Sequence, residues 1–305
     1  MVVNEMRVNM THGEVEVRVH HGVVYIKLLG NARNCFTPST LADLREMLEL
    51  VTSMLDGGDT LTHFVWVFSE NFNGGDLKLF AQLAELNDFE TLCAYGKNCV
   101  QQQLVLFNGF AGRLITVAVV DATLMGGAAE AALACQYVLV TKSAKMRVPE
   151  SMFGFFPGMG WHVFLLQRRV SLPVVEWAIC ERPLLDAQML YHLGIADMVI
   201  EDLSESESAV RAICAVKTYG GTLALPDGRD VRFPTALNSS TSTALSLVRQ
   251  TLACALSTES ALLAVVRIWA DTAARLDAKY VRRMCAVVHA QRRQRAASTN
   301  EEVVA

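Results

Sequence analysis

A chain of 305 residues with 52% hydrophobic and 19% charged residues is apolar for its size and long enough to bury a large core. Its net charge of −4 offers no electrostatic footprint for nucleic acid. The most apolar run, 114–129, contains Asp121 and two glycines and is too short to span a bilayer as a helix. The eight cysteines form no Cys-x-x-Cys pair and read as reduced, mostly buried thiols. The N-terminus has no signal-peptide core, and the expected location is the cytoplasm.

Val15, Val17 and Val19 alternate with polar residues, and after His21-Gly22 comes Val23 to Leu28, so the chain opens on a strand pair. Residues 37–55 have the periodicity of an amphipathic helix, capped by Thr37 or Ser39 and ended by Asp56-Gly57-Gly58-Asp59. A short strand over 63–68 leads into a glycine loop, 71–75, and helices are expected over 76–86 and 89–109. The strand 114–120 precedes Gly126-Gly127 and a helix over 128–135, with further strands at 137–141 and 145–148. This recurring strand, glycine turn and helix argues for an α/β fold. Past residue 160 helices dominate, at 161–169, 173–181 and 185–193, with one short strand at 198–200. Polar runs begin at Asp202 and Asn238. Two long helices close the chain, over 258–276 and 278–295; the first places Leu262, Val265, Trp269, Ala273 and Leu276 on one face. The tail from Ala296 reads as disordered.

The chemistry concentrates at two glycine turns, Asn73-Gly74-Gly75-Asp76 and Met125-Gly126-Gly127-Ala128. Each joins a strand to a helix, where glycine lets the backbone approach a ligand and amide N–H groups point outward. Two such amides from different turns can converge on one carbonyl oxygen and stabilise it as it gains charge. Neither turn has a Gly-x-Gly-x-x-Gly or Walker pattern. Glu130 and Glu150 stand in apolar surroundings of Gly, Ala, Met and Phe, where a carboxyl is pushed upward in pKa and a pair can divide into acid and base. Arg147 lies close to Glu150, and a pairing would hold that acid ionised. His162 follows the turn Pro157-Gly158-Met159-Gly160 and reads as a packed helical residue. No histidines have metal-ligand spacing.

Gly74-Gly75-Asp76, Gly126-Gly127-Ala128-Ala129-Glu130, Pro149-Glu150 and Pro157-Gly158-Met159-Gly160 together resemble the crotonase (enoyl-CoA hydratase/isomerase) superfamily. The diffusible signal factor synthase branch is the nearer resemblance, carried by Gly74 to Phe80, Glu130-Ala131-Ala132-Leu133, Phe155 to Gly160, Trp269-Ala270-Asp271-Thr272-Ala273 and Gln291-Arg292-Arg293. Asp121-Ala122, Ala128 and Ala129 depart from the family pattern near the second turn, while both acids and both glycine turns remain.

The resemblance implies an α/β fold, a crotonase-like spiral of ββα units over 14–200, with a helical C-terminal region over 201–297 and a tail at 298–305. It implies homo-oligomers, trimers or hexamers. It maps oxyanion amides onto Gly75 and Gly127, catalytic acids onto Glu130 and Glu150, and the acyl pocket onto Met125, Gly126, Met159, Trp269 and Val287, with no metal and no cofactor beyond the substrate's own carrier. The implied reaction is dehydration of a 3-hydroxyacyl thioester, carried on acyl carrier protein or CoA, to a cis-2-enoyl thioester, then hydrolysis to a free cis-2-unsaturated fatty acid signal. Some members of the branch are held by the receiver domain of a sensor kinase. An ordinary acyl-CoA hydratase or isomerase, and a catalytically weak paralogue that binds a regulatory protein, remain open alternatives at this stage.

Overall fold

A computed structural model describes residues 5–31, 33–210, 213, 258–275 and 278–290. The run from Asn238, Leu276 and the residues from 291 onward lie outside them. Seven strands form the main sheet in the order β1-β2-β3-β4-β5-β7-β10. β1 (Glu5–Asn9), β2 (Val15–His20) and β3 (Val23–Leu28) are antiparallel. From β3 onward, β4 (His63–Phe68), β5 (Ile115–Val120), β7 (Tyr137–Thr141) and β10 (Met198–Ile200) run parallel. A second small sheet joins β6 (Thr123–Met125), β8 (Lys145–Arg147) and β9 (Leu185–Asp186). The expected α/β architecture therefore holds.

β4 and β5 are buried on both faces, which is why they read as continuous apolar runs. Phe64, Trp66 and Phe68 face the main core with α1 (Pro38–Asp56) and α3 (Phe89–Phe107), while Val65, Val117 and Val119 face a smaller cluster with Ile200, Val210 and Ile213. Local signals set the helix starts. Thr37 accepts the Thr40 N–H ahead of Pro38 on α1; Asp76 and Asp88 do the same for α2 (Leu77–Glu85) and α3. α3 ends two residues earlier than expected, at Phe107, because a turn labelled α4 (Gly109–Gly112) follows with Phe110 and Ala111 left-handed.

Three strands escape the sequence reading. β1 is an edge strand whose residues are mixed polar and apolar, and it exists because it pairs along β2. β6 is only three residues long and pairs with β8. The stretch expected to be helical from 185 opens instead with β9, since Leu185 pairs with Met146 and Asp186 caps the helix behind it, α8 (Ala187–His192). The other elements named below are α5 (Gly127–Leu133), α6 (Trp161–Gln167), α7 (Leu172–Glu181), α9 (Thr258–Ala273) and a helical stretch over 278–290.

Asp43 on α1 anchors the β1–β2 turn. It is fully buried and accepts the backbone N–H groups of His12 and Glu14, both at 2.8 Å, and the His12 ring nitrogen at 2.7 Å. Asp43→Ala would leave two amides without their charged acceptor. We expect a loss of roughly 2–4 kcal/mol of stability, read by urea unfolding, with Asp43→Asn losing less.

Candidate active site

The topology brings the two glycine turns together. β4 and β5 are parallel neighbours in register from His63↔Ile115 to Phe68↔Val120, so the segments that leave them emerge at the same sheet end. They are stitched to each other: the Phe72 N–H donates to Thr123 O at 3.1 Å, and the Met125 N–H to Phe72 O at 3.0 Å. The first turn is also held from behind, where the Phe36 N–H donates to Gly74 O at 3.0 Å. A Cβ at Gly74 would collide with the Gly127 amide nitrogen, and a Cβ at Gly127 with the Met159 sulfur. Only glycine permits this approach. The Gly127 amide opens α5, where first-turn N–H groups lie outside the helical ladder.

Glu130 sits in the first turn of α5, 1% exposed. Its Oε1 accepts the N–H groups of Met159 at 2.8 Å and Trp161 at 2.9 Å, so the carboxyl organises the Pro157-Gly158-Met159-Gly160 turn and the start of α6. Glu150 follows β8, which is tied to the second glycine turn by the Gly126 N–H donating to Arg147 O at 2.7 Å. Gly126 has φ 54°, and a Cβ there would strike Glu150 Oε1. All nine residues expected at the site are brought together. Gly75, Met125, Gly126, Glu150, Trp269 and Val287 line a cavity of about 250 Å³. An inner chamber of about 50 Å³ is lined by Gly75, Gly127, Glu130, Glu150, Met159 and Trp269. Both acids thus face one chamber, beside both glycine turns.

Burial pushes the Glu130 carboxyl up to about 7, with the Trp161 and Met159 amides opposing the rise. Burial also lifts Glu150 well above the usual carboxylate range, and the neighbouring Glu130 charge adds to it. The expectation for Arg147 is corrected. No ion pair joins it to Glu150 among the described residues, and both Arg147 Nε and Glu150 Oε2 are buried without a partner. Arg147 instead lines the larger cavity. His162 is fully buried, packs edge-on to Phe156 and lines neither chamber; its burial lowers it to about 3.

Trp269 is expected at the site from its motif, whereas Tyr95 and Cys99 are not evident from the motifs. Trp269 on α9 stacks on Phe155 at 5.1 Å and meets Phe80 edge-on at 5.3 Å. Tyr95 and Cys99 line the inner chamber from α3. The Tyr95 hydroxyl donates to Phe36 O at 2.6 Å and accepts the Asp76 N–H at 3.3 Å. The Asp76 carboxylate is paired with Arg33 at 2.8 Å. This network braces the residue next to Gly75. The i, i+4 spacing of Tyr95 and Cys99 was the available signal, but it is also the spacing of ordinary core residues. Among the described residues no cluster of three or more His, Cys, Asp or Glu is placed to hold a metal ion, and no helix is long and apolar enough to cross a membrane.

Residues 18–216 match the Enoyl-CoA hydratase/isomerase family, and the chain belongs to it. Among curated relatives, the ethylmalonyl-CoA decarboxylase of Gallus gallus is 23% identical over 213 residues, covering 68% of this chain and 67% of that protein. The mitochondrial methylglutaconyl-CoA hydratase of Mus musculus is 31% identical over 96 residues, 32% of this chain and 30% of that protein. Among solved structures, an enoyl-CoA hydratase from Bacillus halodurans superposes with a TM-score of 0.68 at 15% identity, covering 90% of this chain and 99% of that one. Pseudomonas aeruginosa DspI gives 0.56 at 22% identity, covering 69% of this chain and 76% of that one. Both structural likenesses are likenesses of fold.

The raised Glu130 sets a pH dependence. Between about pH 4.5 and 7 the folded chain keeps a proton that the unfolded chain has released. Its contribution to stability is full at the lower end and is lost as pH rises through 7. Denaturant titrations across this range should show the wild type losing stability faster with rising pH than Glu130→Gln. Parallel curves would mean that Glu130 titrates normally.

Proposed function

We propose that the chain is an acyl-thioester lyase that removes water from a 3-hydroxyacyl thioester and then hydrolyses the enoyl thioester, releasing a free cis-2-unsaturated fatty acid of the diffusible-signal type. The observation that carries the reading is the single chamber lined by Glu130, Glu150, Gly75 and Gly127. In it the thioester oxygen is held by the Gly75 and Gly127 amides, which stabilise the enolate as the C2 proton leaves. Burial favours a state in which the two carboxyls share one proton. Dehydration requires that state: an ionised carboxylate takes the C2 proton, and a protonated one gives a proton to the departing 3-hydroxyl. The C2–H and C3–O bonds break, a C2=C3 bond forms and water leaves. Hydrolysis adds a water at the thioester carbon, activated by one of the same carboxylates, and expels the carrier thiol. Neither step draws on a serine or cysteine nucleophile; burial pushes the nearby Cys99 thiol up to about 12. Met125, Gly126, Met159, Trp269 and Val287 form the walls of the acyl and thioester path.

A second reading has its own support. Arg147 is a cation on the cavity wall with no carboxylate partner among the described residues, and it would suit a CoA ester that carries a carboxylate. The names of some of the curated relatives, ethylmalonyl-CoA decarboxylase and methylglutaconyl-CoA hydratase, are of that kind.

The test is to supply a medium-chain 3-hydroxyacyl thioester and analyse products by mass spectrometry. Free unsaturated acid supports the synthase reading, and enoyl thioester alone supports a simple hydratase. Glu130→Gln and Glu150→Gln should each lower turnover by about 10²–10⁴-fold with folding intact by circular dichroism. Wild-type rates in either variant would remove that residue from the mechanism.

A further inference from the structure

The two amides assigned to the thioester oxygen are held in different ways. The Gly126–Gly127 peptide belongs to α5, since Gly126 O accepts the Glu130 N–H at 3.1 Å. A trans peptide is planar, with its C=O and N–H on opposite sides. The helix itself therefore aims the Gly127 N–H out of its first turn. Gly75 has no helix to do this. α2 begins at Leu77 behind its cap, Asp76, and Gly75 precedes the cap. A glycine there is free to turn about both of its backbone torsions. Both of its peptide planes are nevertheless tied, one to Phe36 and the other to Tyr95.

Phe36 and Gly75 form an isolated parallel bridge. At one rung the Phe36 N–H donates to Gly74 O at 3.0 Å. The Gly74 carbonyl thus points at Phe36, and the Gly75 N–H of the same plane points the opposite way, toward the second glycine turn. At the other rung the Tyr95 hydroxyl joins the two segments. It donates to Phe36 O at 2.6 Å and accepts the Asp76 N–H at 3.3 Å. The Asp76 N–H shares its plane with Gly75 O, so this bond ties the second plane. Tyr95 also backs Phe80 edge-on, with ring centroids 5.2 Å apart, and the Phe80 ring fills the place that a Cβ of Gly75 would take. Burial holds the Tyr95 hydroxyl well above the usual tyrosine range. It keeps its proton and its bond to Phe36 O, and takes no part in moving protons on the substrate.

We propose that Tyr95 is a positioning residue for the thioester carbonyl: through Phe36 O and the Asp76 N–H it holds the Gly75 amide at the angle from which that amide meets the oxygen. This rests on the thioester site proposed above. One donor is then secured by α5 and the other by a side chain on α3. Loss of the Tyr95 hydroxyl loosens the second donor and leaves the first in place. A donor stabilises developing charge only when it is already aimed at the oxygen, so the consequence falls on polarisation of the carbonyl more than on binding.

The spectrum of a bound thioester reports the aim of the amide without any turnover. The probe is 4-(dimethylamino)cinnamoyl-CoA, a conjugated thioester whose absorption moves to longer wavelength when hydrogen bonds polarise its carbonyl. At saturation on the full chain its band should shift to the red, and in Tyr95→Phe that shift should fall to about half or less. Tyr95→Met serves as a second variant, and circular dichroism checks the fold of both. A purely structural role would lower the folded fraction and leave the spectrum of the bound probe unchanged. With a 3-hydroxyacyl thioester, kcat of Tyr95→Phe should fall about 10-fold while KM stays within about threefold. Equal red shifts in the wild type and both variants would overturn this inference alone. A band that does not move in the wild type would overturn the carbonyl site and this inference with it. A red shift that depends on Tyr95, with neither enoyl thioester nor free acid formed from the 3-hydroxyacyl thioester, would support this inference and overturn the synthase reading.

Discussion

The site depends on the contact between two glycine turns. Gly74 faces the Gly127 amide with no room for a Cβ, and Gly126 faces the Glu150 carboxyl with none either. Because β4 and β5 are parallel neighbours, the turns begin side by side, and the missing side chains let them close. Two consequences follow from the contact. The amides of Gly75 and Gly127 come to border one chamber, and α5 is launched so that Glu130 enters that chamber within a single turn. A methyl group at Gly74 would separate the amides and shift the helix that carries the first acid.

Placing two carboxyls in such a chamber has a cost, and the surrounding structure offsets it unequally. Glu130 receives two backbone N–H groups from the Met159–Trp161 segment, charge-assisted hydrogen bonds of the strong kind. Those bonds also hold the backbone at Met159, which lines the chamber. Glu150 lacks this support on Oε2, and Arg147 does not supply it. A Glu150–Arg147 pair would have held the second acid ionised and left two negative charges facing each other. Without it, burial and mutual repulsion favour a shared proton.

Much of this was legible in the sequence because the decisive residues are local. The alternation of Val15, Val17 and Val19, the Thr37-Pro38 start of α1 and the apolar run of β5 each report their structure within a few positions. The two glycine pairs and two glutamates stand out for the same reason, since glycine and buried acid are each unusual at a strand-to-helix junction. What was not legible depends on partners distant in sequence. β6 and β9 are too short to show a period and exist through pairing with β8. Tyr95 and Cys99 follow helical spacing on α3, so their polar or reactive atoms are indistinguishable from core filling until the chamber is seen. Arg147 was visible beside Glu150 in sequence, but their non-pairing is a matter of side-chain direction that spacing does not encode.

The walls of the site therefore have two structural sources. The two acids and the backbone of both glycine turns border one chamber, all held by the turns at the ends of β4, β5 and β8. Side chains on α3, on α9 and on the 278–290 helix line the other walls, where Gly158 lies flat against the Trp269 ring and Gly154 against Tyr280. Side chains on helices can change without disturbing the glycine contact. This agrees with the spread of names among the relatives, a decarboxylase and a hydratase both acting on CoA esters, since function resides in a site carried by a fold rather than in the fold itself. On that side the wall is aromatic, with Phe80, Phe155 and Trp269 in mutual ring contact.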